Sequence, residues 1–306
     1  MTSKQPYRVK TISEFHNLKG LPQPKHPLIS VINYADINCT PEIEAKNWIF
    51  DFYNIAIKRG VDAKLKYGQQ NYDFDEGIMF FLSPNQVFGV LPSNNNDVNR
   101  SGWMLLIHPD FLWETSLAKN MKQFDFFDYS VNEALFLSNK EELILKDIIK
   151  NIEQECNENI DNFSQSIIIS QIETLLNYSQ RFYQRQFITR KKVSYQTLTH
   201  LEEVLTQYFS NENLAEKGLP TVNLIAQTLN LSPNYLSGLL KSLTGQSTQQ
   251  HIHNKLIEMA KEKLSTTDLS VSEIAYELGF DYPQTFGNLF KKKTNLSPLE
   301  FRQTFN

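Results

Sequence analysis

The chain is poor in the residues that build cross-links and membrane spans. Two cysteines, Cys39 and Cys156, are all that its 306 residues contain. They are too few and too far apart for a disulfide framework or a cysteine metal cage, so both are expected as isolated reduced thiols. No stretch approaches the ~20 consecutive apolar residues needed to cross a bilayer. Lys4, Arg8 and Lys10 are not followed by an apolar segment, which speaks against a secretory signal and for a cytoplasmic protein without a membrane partner. The histidines are scattered. His251 and His253, two apart on an expected helix, point to different sides and form no ligand pair. No metal and no cofactor are expected. A net charge of −4 argues against a coat for nucleic acid or a non-specific architectural protein. That charge is uneven: from residue 187 onward there are 12 basic and 11 acidic side chains, which leaves 18 basic against 23 acidic in the N-terminal part.

What the chain does contain is one pattern written twice, about fifty residues apart. The first copy runs from Thr221 through Ile225, Ala226, Leu229, Ser232-Pro233 and Leu236 to Leu239, Leu240, Lys241 and Thr244-Gly245. The second runs from Ser270 through Ile274, Ala275, Leu278-Gly279-Phe280, Pro283 and Phe286 to Leu289, Phe290, Lys291 and Thr294-Asn295. Each pairs a short helix, apolar at i, i+1 and i+4, with a second helix entered through a proline. The small alanine lets the two helices cross closely, and Asn230 or Gly279 ends the first. Proline suits the first position of a helix because no amide proton is needed there; Ser232 is placed to cap Pro233, and Ser270 with Glu273 has capping-box spacing. This is helix-turn-helix grammar, with a helical segment from His251 to Leu264 joining the two units.

Over roughly residues 200–306 the chain resembles the DNA-binding domain of the AraC/XylS family of transcriptional regulators. The resemblance rests on Ser232-Pro233, Lys241, Thr244-Gly245, Ala260-Lys261, Leu264, Ile274-Ala275, Leu278-Gly279-Phe280, Phe286, Phe290-Lys291-Lys292, Ser297-Pro298 and Phe301-Arg302, in the family's order and spacing. The chain departs from the pattern at Leu256, where the family usually carries arginine, and at Asn295, where glycine is more usual.

Ahead of this region, residues 1–27 carry Pro6, Pro22, Pro24 and Pro27 and read as an irregular surface arm. Short strand-like runs follow at Leu28 to Tyr34, Trp48 to Lys58, Leu65 to Tyr67 and Ile78 to Leu82. Arg59-Gly60, Asp75-Glu76-Gly77 and Ser83-Pro84-Asn85 mark the breaks between them. Regular short strands predict an antiparallel sandwich or barrel. By resemblance this is the cupin-like sensing domain that many such regulators carry. The paired histidines of metal-binding cupins are missing, since His16, His26 and His108 stand apart. Ser93 to Asp97 reads as a solvated loop, Trp103 to Trp113 as a strand and turn with His108 at the strand's end, and Phe124 to Tyr129 as an aromatic core cluster.

Two amphipathic helices come next, one using Leu143, Ile144, Leu145, Ile148, Ile149 and Ile152, the other running from Phe163 to Phe187 and using Ile167, Ile168, Ile172, Leu175 and Leu176. Their apolar faces either form a dimer interface or cover the barrel; the resemblance tips the reading to a homodimer. The fold is thus read as α+β. A sensing and dimerisation domain spans 1–186, with the barrel to about 130 and helices over 139–186. A basic linker spans 187–195, and an all-α domain with two helix-turn-helix units spans 196–306.

The second helix of each unit is expected in the major groove, where base edges carry an unambiguous hydrogen-bond code. By resemblance, the base-reading positions fall on Asn234, Ser237 and Gly238 in the first unit and on Gln284, Thr285 and Asn288 in the second. Tyr235, Lys241, Lys291, Lys292 and Arg302 are assigned to phosphates. Gly238 and Asn288 stand where several relatives have arginine, so the arginine-to-guanine fork is missing, while Gln284 and Asn288 suit adenine. The reading is a sequence-specific regulator, an activator, with promoter operator DNA, RNA polymerase and an unidentified small-molecule effector as partners. The alternative is a DNA-tethered enzyme using the N-terminal domain; Cys39 has neither a neighbouring histidine nor a glycine elbow to make it a nucleophile.

Overall fold

The computed structural model describes residues 6–37, 47–59, 66–67, 70–71, 77–89, 101–129, 133–158, 161, 163–189, 191–209 and 214–304. Cys39, Gly60, the Asp75-Glu76 turn, the Ser93 to Asp97 tract and Arg190 fall outside them. The chain divides into two units, Met1–Gln186 and Phe187–Asn306.

The first unit opens with strand β1 (Tyr7–Val9) and helix α1 (Ile12–Leu18), so part of the expected irregular arm is structured, while 19–28 hold neither helix nor strand. Val9, Ile12 and Phe15 recur every third residue and are buried, while Thr11 Oγ1 accepts from the Glu14 amide and starts the helix. Pro6 precedes β1, and Pro22, Pro24 and Pro27 lie in the irregular stretch after α1. Strands β2 (Ile29–Asn33), β3 (Asn47–Phe50), β4 (Tyr53–Arg59), β5 (Lys66–Tyr67), β6 (Gln70–Asn71), β7 (Ile78–Leu82), β8 (Val87–Gly89), β9 (Ser101–Ile107) and β10 (Leu135–Phe136) follow. The expected single run from Trp48 to Lys58 is broken at Asp51-Phe52 into β3 and β4, which belong to different sheets.

The larger sheet has the order β10-β7-β4-β9-β2, all antiparallel; β1-β3-β8 form a second and β5-β6 a hairpin. Its edge strands β2 and β10 are not paired with each other, so the sheet is open and no closed barrel, one of the two expected forms, is found among the described residues. One face of that sheet packs on α1 and the small sheet through Ile32, Ala56, Met104 and Leu106, joined by Phe52 from the break. Gly102 makes the pairing of β9 with β4 possible: its φ is +128°, and a Cβ there would stand 2.0 Å from the Ile57 carbonyl oxygen.

The other face is covered by helices. After α2 (Ser116–Asn120) come α3 (Asn139–Asn157), begun by a Ser138/Glu141 capping box, and α4 (Ser164–Thr189). Tyr183 of α4 stacks on Phe126 with ring centroids 5.6 Å apart and approaches Phe81 of β7, while Ser179 Oγ lies 3.8 Å from Met79 Sδ. Gln186 donates to Ala134 O and accepts from the Phe136 amide, and Arg185 pairs with Glu141 at 2.7 Å. The Phe124 to Tyr129 cluster is core, as expected from the sequence. Leu143, Ile144 and Ile167, counted in the expected apolar faces, are exposed, as is Phe163 ahead of the second helix; the buried sets are Leu145, Ile148, Ile149 and Ile152, and Ile168, Ile169, Ile172, Leu175 and Leu176.

His16 is buried, its Nδ1 against Pro22 O and its Nε2 2.9 Å from Ser30 Oγ. Burial lowers its pKa, partly opposed by the Pro22 carbonyl. The unfolded chain takes up this proton near pH 6.5 while the folded chain resists it, so the stability is fully present above that pH and declines below it. The urea midpoint is expected to fall between pH 7.5 and 5.5, and to fall less steeply in His16→Gln. Equal slopes in the two proteins would assign the acid sensitivity elsewhere. Cys156, half-buried beside Glu155 and Glu153, has its thiol pushed up to about 11 and is held protonated, an inert cysteine.

Candidate nucleic-acid interface

The second unit begins at Phe187, near the end of α4, and continues through α5 (Lys191–Phe209), α6 (Leu214–Lys217), α7 (Val222–Thr228), α8 (Pro233–Thr244), α9 (Thr248–Thr266), α10 (Val271–Glu277), α11 (Pro283–Thr294) and α12 (Pro298–Gln303). Lys191 and Lys192, expected in a solvated linker, open a helix. Ser194 is buried there, its hydroxyl donating to Phe187 O at 3.0 Å.

The written repeat is also a repeat of backbone hydrogen bonds. α7 ends where Leu231 N donates to Ala226 O at 2.9 Å, and α10 where Phe280 N donates to Ala275 O at 3.0 Å. The chain turns out of each through a left-handed residue, Asn230 (φ 56°) and Gly279 (φ 82°). At Gly279 a Cβ would also lie 3.1 Å from Gly218 C and Leu214 O. Each second helix starts with proline and ends left-handed, at Gly245 and Asn295. Asparagine is the side chain that best replaces glycine in that conformation, which accounts for the departure from the family pattern at Asn295.

The first helix-turn-helix buries Ile225, Ala226, Leu236, Leu239 and Leu240; the second helix-turn-helix buries Ile274, Ala275, Leu278, Phe280, Phe286 and Phe290. Helix α9 is longer than the expected His251 to Leu264 segment, is started by a Ser247/Gln250 capping box, and packs against α5, α8, α10 and α12. Leu256, where the family usually has arginine, is fully buried on it. His251 and His253 do face different partners: His251 Nε2 lies 2.9 Å from Thr244 Oγ1, His253 Nε2 2.9 Å from Gln249 Nε2. Burial lowers the pKa of both, and Lys293 and Lys292 add to the effect at His253.

On α11, Gln284, Thr285 and Asn288 are exposed, as are Lys291 and Lys292 just beyond. On α8 the expected residues are placed differently. Asn234 and Gly238 are half-buried and Lys241 is exposed. Ser237 Oγ lies 3.0 Å from Thr248 Oγ1, so its hydroxyl is engaged inside the protein. Tyr235, expected on a phosphate, is 6% exposed and meets the ring of Phe187 edge-on at 5.1 Å. It is a core residue. Arg302, also expected on a phosphate, donates from Nε to Leu264 O at 3.2 Å and from Nη2 to Leu269 O at 2.6 Å, tying α12 to the end of α9. Arg302→Ala is accordingly expected to cost about 2 kcal/mol in a urea titration, the magnitude for hydrogen bonds made by a charged group. Unchanged stability with weakened DNA binding would return Arg302 to the phosphates.

One residue passed over in the sequence is Tyr282. It holds the N-cap position of α11 without making a side-chain cap and is 71% exposed at the mouth of that helix. The signal was the missing serine, threonine, aspartate or asparagine at a cap position that the other copy fills with Ser232.

Two helix-turn-helix units on a shared helix define a class, the double helix-turn-helix DNA-binding domain. The family model described as a helix-turn-helix domain matches residues 225–304. The transcriptional regulatory protein YesN of Bacillus subtilis is 40% identical over 93 residues, covering 29% of this chain and 25% of that protein. The HTH-type transcriptional regulator YfiF of the same organism is 30% identical over 147 residues, 48% of this chain and 43% of that one. The arabinose operon regulatory protein of Escherichia coli is 36% identical over 96 residues, 31% and 32% of the two chains. Over this domain the chain is similar to AraC-type regulators such as the arabinose operon protein. The matched part is less than half the length of each of these relatives.

Proposed function

We propose that the protein is a sequence-specific transcriptional regulator that binds promoter operator DNA through α8 and α11, with an N-terminal unit responsive to a small molecule or partner. In this reading it is a cytoplasmic homodimeric activator that contacts RNA polymerase. The observation that supports it best is the second reading helix, whose Gln284, Thr285 and Asn288 are exposed together while Phe286 and Phe290 hold its other side in the core. Such a helix offers amide and hydroxyl groups to base edges, and adenine takes a bidentate pair from Gln or Asn. Lys241, Lys291 and Lys292 supply phosphate contacts, and Tyr282 adds one where α11 begins. No helix among the described residues is long and apolar enough to cross a membrane.

Operator variants separate the two kinds of contact. Asn288→Ala is expected to relax base preference at about one position at a cost of roughly 1–3 kcal/mol. Lys292→Ala is expected to weaken all sequences alike and reduce the salt slope by about 1. Equal losses on every variant for both proteins would show that Asn288 does not read a base.

A further inference from the structure

The two reading helices are unequally equipped. On α8 the side chains at the expected reading positions are small or engaged: Gly238 has none, Ser237 is hydrogen-bonded to Thr248, and the neighbouring Tyr235 is buried against Phe187. Asn234 is the one amide among them, and it is half-buried. Helix α11 presents two amides and a hydroxyl, all exposed, and Gly287 between them leaves open space where a Cβ would stand. An amide carries donor and acceptor together, which is what one adenine edge requires, whereas the Ser237 hydroxyl already shares one hydrogen bond with Thr248 and offers no such pair. The absence of a side chain at Gly238 removes any reach into the groove floor, and Lys241 contributes charge without sequence information.

We propose that sequence discrimination is carried by the second unit, and that α8 holds its half of the site mainly by backbone contacts that tolerate most sequences. The operator would then be lopsided: one box with defined bases, the other set by spacing and shape. This rests on reading the chain as a two-unit DNA binder.

The test uses the full chain and an operator selected from a random DNA pool. Each base pair of both boxes is replaced in turn and affinities are measured by gel shift at one salt concentration; the box read by α11 is the one whose preferences relax in Gln284→Ala and Asn288→Ala. Losses of tenfold or more at two or more positions of that box, with less than about threefold at every position of the other, are expected. Ser237→Ala is expected to leave the preferences of the first box within twofold. Comparable losses in both boxes, larger losses in the box of α8, or a changed base preference in Ser237→Ala would overturn the proposal. Enrichment of no sequence at all would overturn the regulator reading itself, a result distinct from two equally informative boxes.

Discussion

Five base pairs inserted between the two boxes of the operator are expected to weaken binding by roughly 30-fold or more, about 2 kcal/mol. The reason is the rigidity of α9. It runs from Thr248 to Thr266 with no glycine or proline to bend it, and at ~1.5 Å per residue it separates the two units by a fixed length of roughly 28 Å. Both reading helices therefore meet DNA with one spacing and one rotation, and major grooves return to the same side of B-DNA only every ~10–10.5 base pairs. Half a turn carries one box to the far side of the duplex. The helix that loses its box gives up its phosphate contacts as well as any base contacts, so the loss appears even if that box is permissive in sequence. A full-turn insertion restores the phase but exceeds the reach of α9. Gel-shift affinities on the spaced operators decide the matter: unchanged binding on the half-turn insertion would mean that a single unit engages DNA.

Phe290→Ala is expected to be the most damaging single change in the second unit. Phe290 is fully buried between Phe286 and Phe301, with ring centroids 5.8 and 5.4 Å away, and Phe280 extends the row beyond Phe286. Truncating a phenylalanine in such a setting costs about 3–5 kcal/mol, since the lost transfer energy is joined by a cavity its neighbours cannot close. Against a total stability of about 5–15 kcal/mol, this lowers the melting temperature by roughly 10–20 °C. Phe290→Leu refills most of the space and is expected to recover more than half of the loss. A melting temperature within a few degrees of the parent for Phe290→Ala would show that the ring is not supporting α11.

The second unit was legible because its boundaries are written in single residues. Ser232, Ser247, Ser270 and Ser297 start helices by accepting an amide, Pro233, Pro283 and Pro298 follow caps, and Asn230, Gly245, Gly279 and Asn295 take the left-handed turns. Local chemistry of that kind survives without knowledge of the tertiary structure. The burial of Tyr235 was not legible, because it depends on Phe187, which lies far away in sequence and in no shared pattern. The internal hydrogen bonds of Arg302 were not legible for a similar reason: the carbonyls that accept them belong to α9 and the segment before α10. In the first unit, β4 buries Asn54, Ile55, Ala56 and Ile57 in succession, so strict alternation could not report its faces or how the sheets divide. Exposed Leu143 and Phe163 look like core residues by type alone.

The contact between Phe187 and Tyr235 bears on module exchange. Anyone grafting this DNA-binding part onto a foreign sensor would be drawn to the basic run near residue 190 as the seam. A graft begun at 195 would discard the ring that shields Tyr235, together with Ser194 and its bond to Phe187 O, and so would leave an aromatic face of the first reading helix open to water. The donor piece has to start at 187, inside a helix, and the incoming sensor must end in a helical turn able to continue into it. Compatible fusion partners are thereby restricted to those whose C-terminal residues can continue a helix into Phe187, a condition on conformation rather than on the chemistry of the linker.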